Sequence, residues 1–290
     1  MHLRDALRAG LKRLLEHDVA SAHLAAELLL MHALHQDRSF LHMHPDQDLP
    51  AEQFDRYMEL IDERCTGKPT QYITGHQEFW GLDFEVTPAV LIPRPETEHI
   101  IEAVLDLIKR EGRSKQNPFR IADVGTGSGC IPIALAKELP AAQLYATDIS
   151  ADALAVATRN ARRLGTAGQI KFIECDLLSC LLTPEFLGTF DFVVSNPPYV
   201  GHDELADVQR EVRVFEPRLA WGDLAQGEEI YARLFPQVQQ LLKSGGSVVV
   251  EIGYNKQDPV LSLLDEGWQE REVRPDLAGI PRVITARKTG

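Results

Sequence analysis

The sequence predicts an α/β protein: a doubly wound, mostly parallel seven-stranded sheet, preceded by an N-terminal helical domain and a β-hairpin connector. Three observations predict it. Apolar residues recur at helical spacing between Leu3 and Ile61. Short apolar runs alternate with helical segments from Pro118 onward. The first of those runs ends in a glycine-rich turn that opens a helix. Buried apolar strands separated by helices are the pattern of a parallel sheet covered on both faces.

The helical domain is assigned to residues 1–70. Leu3, Leu7, Leu11, Leu14 and Leu15 mark a first helix, and Leu24, Leu28, Met31 and Leu34 a second. Asp18 and Ser21 between them have the residue types of caps. A polar break from Pro45 to Pro50 precedes a third helix, Ala51 to Cys65, with Phe54, Met58 and Ile61 on one face. The pairs His32/His35 and His42/His44 have helical spacing but no evident third ligand, so they read as solvated or cap-region residues and no metal is expected. Gly67-Lys68-Pro69 closes this part. Residues 71–93 form the connector, rich in aromatic and β-branched residues and punctuated by Gly75, Gly81 and Pro88.

Residues 94–290 form the sheet domain. A helix from about Glu96 to Lys109 and a polar linker, Arg110 to Asn117, come first. Strands are expected at Arg120–Val124, Gln143–Thr147, Ile170–Glu174, Phe190–Ser195 and Ser247–Ile252. Helices fit Cys130–Glu138, Ala151–Leu164 and Glu228–Leu242. Glu270–Val273 and Arg282–Ala286 read as two more strands without a crossover helix, a closing antiparallel pair.

Composition narrows the function classes. The chain has 290 residues, 44% hydrophobic and 25% charged, close to the average for globular proteins, which sets aside collagen, coiled coil and disorder. Its 43 acids against 30 Lys and Arg give a formal charge of −13. A nucleic-acid backbone asks for a basic face, so no direct nucleic-acid binding is expected. The most apolar stretch, Leu24 to Leu34, is too short for a bilayer and is interrupted by Glu27 and His32, so no membrane association is expected. Cys65, Cys130, Cys175 and Cys180 form no C-x-x-C pair and read as reduced thiols of a cytoplasmic protein.

Two motifs carry chemistry. The first strand runs into Gly125-Thr126-Gly127-Ser128-Gly129 directly before a helix, where glycines let the chain turn sharply and let a ligand approach without meeting a Cβ. Asp148 ends the next strand, where α/β nucleotide sites place a carboxylate for ribose hydroxyls. The G-x-G-x-G spacing departs from the dinucleotide G-x-G-x-x-G, and no Lys-Ser/Thr follows as in a triphosphate loop. The second motif, Asn196-Pro197-Pro198-Tyr199, ends the fourth strand, which in such a sheet lies beside the first. The prolines hold the chain extended and supply only carbonyls. Asn196 Oδ1 and the Pro197 carbonyl make a paired acceptor for a planar –NH2 group, and Tyr199 offers a flat ring beside it. Gripping both hydrogens orients a delocalised, weakly nucleophilic nitrogen for attack; near-attack positioning of this kind is worth about 7–11 kcal/mol.

The glycine loop resembles the first motif of S-adenosylmethionine-dependent methyltransferases, and the tetrad resembles that of amino-methyltransferases acting on adenine, cytosine or glutamine. Further segments are similar to the release-factor glutamine methyltransferases (HemK/PrmC type). These are Gly67-Lys68-Pro69, Tyr72-Ile73-Thr74-Gly75, Glu78-Phe79, Gly81-Leu82 and Leu91-Ile92-Pro93-Arg94-Pro95-Glu96-Thr97-Glu98. Phe215-Glu216-Pro217, Leu219-Ala220, Asp276-Leu277-Ala278-Gly279 and Arg282-Val283 follow suit. The resemblance implies methylation of the side-chain amide nitrogen (N5) of the glutamine in the Gly-Gly-Gln motif of peptide chain release factors, with S-adenosyl-L-methionine as cofactor. It implies that Gly125, Thr126, Gly127, Ser128, Gly129 and Asp148 hold the cofactor. Asn196 would stand at the boundary with the substrate, and Asn196, Pro197, Pro198 and Tyr199 would bind the glutamine, with Asn196, Pro197 and Tyr199 catalytic. Leu177, where some relatives carry tryptophan, would lie near the adenine and offer apolar packing. Arg94 to Glu98 would lie near the cofactor mouth, and the helical domain would recognise the release factor. Two alternatives stay open: an amino-methyltransferase acting on adenine or cytosine in nucleic acid, and a non-catalytic S-adenosylmethionine-binding protein of the translation machinery.

Overall fold

The computed structural model describes residues 1–222 and 227–290, which divide into two compact units.

The first unit comprises Met1–His76 together with Gln209–Phe215. Its helices are α1 (Leu3–Glu16), α2 (Ala22–Leu34), α3 (Arg38–Met43), α4 (Ala51–Cys65) and α5 (Thr70–Thr74). The leucine stripe of α1 and the apolar face of α4 close on α2, burying Leu3, Leu14, Leu29, Leu30, Tyr57 and Ile61. Gly10 is required there, because a Cβ on it would stand 2.0 Å from the Tyr57 hydroxyl. The segment from Gln209 to Phe215 is tied in by Glu211, whose carboxylate accepts from buried Arg64 at 2.5 Å. Neither Asp18 nor Ser21 acts as the expected cap. Ser21 stands at the N-cap of α2, but both residues are left-handed, with φ of 53° and 52°, and the Ser21 hydroxyl makes no capping bond. The tight turn between α1 and α2 takes precedence over capping geometry. The short helix α3, to which the sequence reading assigned no element, precedes the break at Pro45–Pro50; the Asp37 carboxylate caps it by accepting from Phe40 N at 2.7 Å.

In the second unit (Gln77–Val208 and Glu216–Gly290), strand β1 (His76–Phe79), which begins one residue earlier, pairs with β2 (Leu82–Glu85). Trp80 and Gly81 between them have φ of 56° and 68°, the pattern of a two-residue hairpin turn that matches strand twist. Helix α6 (Glu98–Arg110) follows a single 3-10 turn at Pro95–Thr97, so it starts two residues later than the apolar pattern suggests. The remaining elements are β3 (Arg120–Val124), α7 (Cys130–Glu138), β4 (Gln143–Asp148), α8 (Ala151–Arg163), β5 (Ile170–Glu174), β6 (Phe190–Ser195), α9 (Arg210–Phe215, in the first unit), α10 (Glu229–Leu241), β7 (Leu242–Glu251), α11 (Gln257–Ser262), β8 (Trp268–Pro275) and β9 (Pro281–Lys288).

The seven-stranded sheet has the order β5-β4-β3-β6-β7-β9-β8. Its first five strands are parallel, and β9 is antiparallel to both β7 and β8, the closing pair expected from the tail. Apolar clusters cover both faces. One is built on α6 and α7 with Ile121, Leu144 and Phe192, the other on α10 with Val193, Val248 and Ile284.

The expectation of four reduced thiols fails for one pair. Cys175 and Cys180 are joined as a disulfide, with Cα atoms 6.0 Å apart, whereas Cys65 and Cys130 are free. The chain after β5 folds back through Leu177, at φ 53°, and a 3-10 turn at Ser179–Leu181. That brings the two residues within bridging distance, which their spacing alone does not announce.

Asn160 of α8, fully buried, holds the hairpin exit and the glycine loop together. It donates to the carbonyls of Glu85 and Ser128, both at 2.9 Å, and accepts from Glu85 N at 2.8 Å. Replacing it by alanine removes all three bonds, and urea denaturation of Asn160→Ala is expected to show a loss of about 2–4 kcal/mol.

Candidate active site

Four strand ends and one turn converge at the carboxyl edge of the sheet, where open α/β sheets hold ligands. The glycine loop leaves β3 and is anchored by Gly125 N and Thr126 N, which donate to the Thr147 carbonyl of β4 at 2.9 and 3.0 Å. Gly125 and Gly127 have φ of 69° and 55°, and an added Cβ on either would meet nothing within 4 Å. Their glycine character therefore serves backbone conformation and keeps one side open. Gly129 differs, because a Cβ there would come to 3.1 Å from both Ala157 and Ile133, so it permits helix packing.

Beneath the loop lies a set of buried polar groups. Among the described residues, both carboxylate oxygens of Asp123 and the hydroxyls of Thr126 and Ser128 have no hydrogen-bond partner, although all three residues are buried. Such groups are costly unless something satisfies them, and they are what a polar ligand on the loop would engage. Burial pushes the Asp123 carboxyl up to about 7; the nearby Thr126 hydroxyl opposes this, and the Asp148 charge adds to it. Asp148 Oδ2 accepts from Gly127 N at 2.9 Å and Oδ1 from Ser150 N at 2.9 Å, so it braces the loop against β4. Burial raises its proton affinity against the pull of the Ser150, Gly127 and Ile149 amides. Each of its oxygens keeps a further lone pair, the capacity needed to accept from a ribose hydroxyl. Leu177 is buried in the apolar cluster that also holds Leu178, Leu181 and Tyr231, at the end of the sheet where β5 finishes.

The Asn-Pro-Pro-Tyr tetrad leaves β6, which pairs with β3 so that Ser195 stands opposite Val124. The Ser195 hydroxyl donates to the Val124 carbonyl at 2.8 Å and fixes the last step before the tetrad. Pro197 is buried, and Asn196, Pro198 and Tyr199 are half-buried. Asn196 Nδ2 donates to Thr97 Oγ1 at 3.0 Å. Thr97 Oγ1 in turn donates to Glu251 Oε2 at 2.7 Å, and the Tyr199 hydroxyl to Glu251 Oε1 at 3.3 Å. The Tyr199 ring lies against Gly253, where any Cβ would approach it to 2.7 Å. The turn carrying Thr97 is held by Glu216, which accepts from Ile92 N at 3.2 Å and from Arg94 at 2.5 Å.

Strand order thus places the glycine loop and the tetrad on neighbouring strands, and it brings Thr97 and Glu251 to Asn196 and Tyr199. Sequence reasoning gave no individual role to Thr97 or Glu251. A signal for Glu251 existed: it is the lone carboxylate in the apolar run Val248–Ile252. Thr97 had none beyond the segment that carries it. Among the described residues, no group of three His, Cys, Asp or Glu is placed to hold a metal ion, and no helix is long and apolar enough to cross a membrane.

A sheet of this order, with a glycine loop after its first strand, a carboxylate ending the next and an Asn-Pro-Pro-Tyr tetrad after the fourth, fits the class of S-adenosylmethionine-dependent methyltransferases, which the family comparisons bear out. Residues 5–75 match the family model described as the PrmC N-terminal domain, and residues 107–216 match the methyltransferase small domain. The chain is 50% identical over 288 residues to the release factor glutamine methyltransferase of Koribacter versatilis (strain Ellin345), covering 99% of both chains. It is 39% identical over 289 residues to that of Nitratidesulfovibrio vulgaris, covering 99% of this chain and 95% of the relative. The fold is shared with the N-terminal domain of human METTL16, at a TM-score of 0.53 and 18% identity, over 89% of this chain and 92% of that one. The chain belongs to the family of release factor glutamine methyltransferases.

The buried Asp123 carboxyl makes stability depend on pH. Its proton affinity is higher folded than unfolded, so its contribution is complete below about pH 4 and is lost as pH rises towards about 7. Asn mimics the protonated form. Without cofactor, Asp123→Asn is expected to melt about 3 °C or more above the parent at pH 8 and to converge with it only at about pH 4 and below, as read by thermal scans.

Proposed function

We propose that the protein methylates the side-chain amide nitrogen (N5) of the glutamine in the Gly-Gly-Gln motif of peptide chain release factors, using S-adenosyl-L-methionine. The observation that carries this reading is the Asn196 carboxamide, pinned by its own NH2 group to Thr97, with the rigid Pro197-Pro198 step directly after it. Held in that way, Asn196 has its Oδ1 available for an incoming –NH2 group, and the Pro197 carbonyl supplies the second acceptor. The high identity to named relatives over the full chain supports the same substrate.

The residues present fit the cofactor. Gly125 and Gly127 leave the loop open; Thr126, Ser128 and Asp123 offer unpartnered polar atoms; Asp148 suits a ribose edge. Gly129 shapes the turn, and Leu177 offers an apolar contact for the base. When bound, the cofactor supplies an electrophilic methyl group on a positively charged sulfur. Asn196 Oδ1 and the Pro197 carbonyl hold the two amide hydrogens of the substrate glutamine. This aims the nitrogen and stabilises the positive charge it gains in bond formation. Tyr199, fixed by Glu251, walls the acceptor side chain. No base is required before transfer, since the surplus proton leaves to water afterwards. The N-terminal helical domain, residues 1–70, serves recognition of the release factor, with 71–93 as connector and 94–290 as the catalytic domain.

Mass spectrometry after incubation with S-adenosylmethionine is expected to find the Gly-Gly-Gln peptide of a release factor heavier by one CH2. Methylation of nucleic acid with the release factor unchanged would overturn the substrate reading. Asn196→Ala is expected to lower turnover by about 100-fold or more while cofactor affinity, measured by calorimetry, changes less than about tenfold. Asp148→Ala is expected to weaken cofactor binding by about tenfold or more.

A further inference from the structure

The orientation of Asn196 is set two hydrogen bonds away. An ionised carboxylate only accepts, so the Thr97 hydroxyl spends its one proton on Glu251 Oε2 at 2.7 Å. On its other side that hydroxyl has only lone pairs, which an amide can meet only with its NH2 group. Asn196 meets it with Nδ2 at 3.0 Å, which turns Oδ1 away from Thr97. The other carboxylate oxygen, Oε1, accepts from the Tyr199 hydroxyl at 3.3 Å. One buried side chain, 1% exposed, thereby holds both the first and the last residue of the tetrad. The Glu251 main chain is fixed as well, because its carbonyl accepts from the Tyr231 hydroxyl at 2.7 Å.

We propose that Glu251 is a positioning residue for methyl transfer: ionised, it makes Thr97 an acceptor and presents the Asn196 carbonyl oxygen to the substrate amide; protonated, it reverses the relay and turns an Asn196 N–H towards that amide. In the protonated form Glu251 donates to Thr97 Oγ1. The hydroxyl proton of Thr97 is then free to point at Asn196, and Oδ1 becomes the better partner for it. Rotation of the carboxamide sets its NH2 group against the NH2 group of the substrate, two donors facing each other, and the clasp is lost. The proposal rests on the assignment of Asn196 as the amide acceptor given above.

The charged and titratable groups around Glu251 place this reversal in an accessible range. Thr97 and Glu96 face it from the turn before α6, Tyr199 from the tetrad, Tyr231 from α10, Arg282 from β9 and Cys130 from the start of α7. Burial is the largest influence and outweighs Arg282, which is itself engaged by Asp276 at 3.0 Å. The carboxyl is pushed up to about 7. Activity is therefore expected to fall on the acid side of neutrality.

The test combines rates with a spectroscopic readout that needs no substrate. Methylation of a release factor at saturating S-adenosylmethionine is measured from pH 5.5 to pH 9 for the parent, Thr97→Val, Thr97→Ser and Glu251→Gln, a range of about 1.5–2 units either side of neutral. The side-chain amide 1H–15N signals of Asn196, assigned by their loss in Asn196→Asp, are followed over the same range. For the parent, kcat is expected to drop about tenfold per pH unit below the midpoint, with the Asn196 signals shifting at that midpoint. Thr97→Val is expected to lower kcat by about 30-fold at high pH with cofactor affinity within about threefold, and Thr97→Ser to recover to within about threefold of the parent. In Glu251→Gln both the acid limb and the shift of the Asn196 signals disappear, whatever the level of activity. Unchanged kcat in Thr97→Val, an acid limb that survives in Glu251→Gln, or parent Asn196 signals that ignore pH would each overturn the proposal. A parent that leaves release factors unmethylated while its Asn196 signals follow Glu251 would sink the substrate reading and spare the relay. Turnover with silent Asn196 signals would do the reverse.

Discussion

The parallel pairing of β3 with β6 is the constraint on which the rest of the site depends. The two strands are neighbours in space but separated in sequence by two strand–helix units, so their carboxyl ends form the crevice where the winding of the sheet reverses direction. The register sets Val124 beside Ser195, and the Ser195 hydroxyl closes that step onto the Val124 carbonyl. A glycine loop and an Asn-Pro-Pro-Tyr tetrad are unremarkable turns when apart. A shift of one residue in this register would rotate one of them to the opposite face of the sheet.

Charge accumulates at this edge against the interest of stability. Asp123 stands one residue before the end of β3, Asp148 and Glu251 end β4 and β7, and burial raises the proton affinity of all three. In each case desolvation is the largest cause, and polar neighbours offset it only in part. A core selected for stability alone would hold apolar residues at these strand ends. The edge instead presents carboxylates and, among the described residues, the unpartnered hydroxyls of Thr126 and Ser128. Opposed to this is the apolar packing above and below the sheet, with Phe192 and Val194 in one cluster and Val193 in the other.

Much of the fold was legible because its signals are local. Strand and helix positions followed from apolar periodicity, and most boundaries agree to within one or two residues. The larger departures have physical causes. Strand β7 begins at Leu242 rather than Ser247, because Leu242 pairs with Phe190 before a bulge that the intervening glycines permit. The caps assigned to Asp18 and Ser21 were displaced by a turn whose left-handed geometry tertiary packing imposes. Cys175 and Cys180 meet because the chain folds back after β5, a feature with no periodic signature. Within the site, the glycine loop, Asp148 and the tetrad were readable as motifs, while Thr97 and Glu251 were not.

By itself, the sequence determined the alternation of elements, the open glycine turn and the rigid acceptor step at Pro197-Pro198. Each depends on the conformational freedom of a few consecutive residues, which their side chains dictate directly. Only the tertiary structure decided which carboxylate reaches which motif. Thr97 meets Asn196 across 99 positions of sequence and Glu251 across 154, distances that no local preference spans. Those meetings follow from the order of strands in the sheet. That order is a property of the whole sheet, whose two faces are both covered by apolar clusters, and it is not encoded at any one place along the chain.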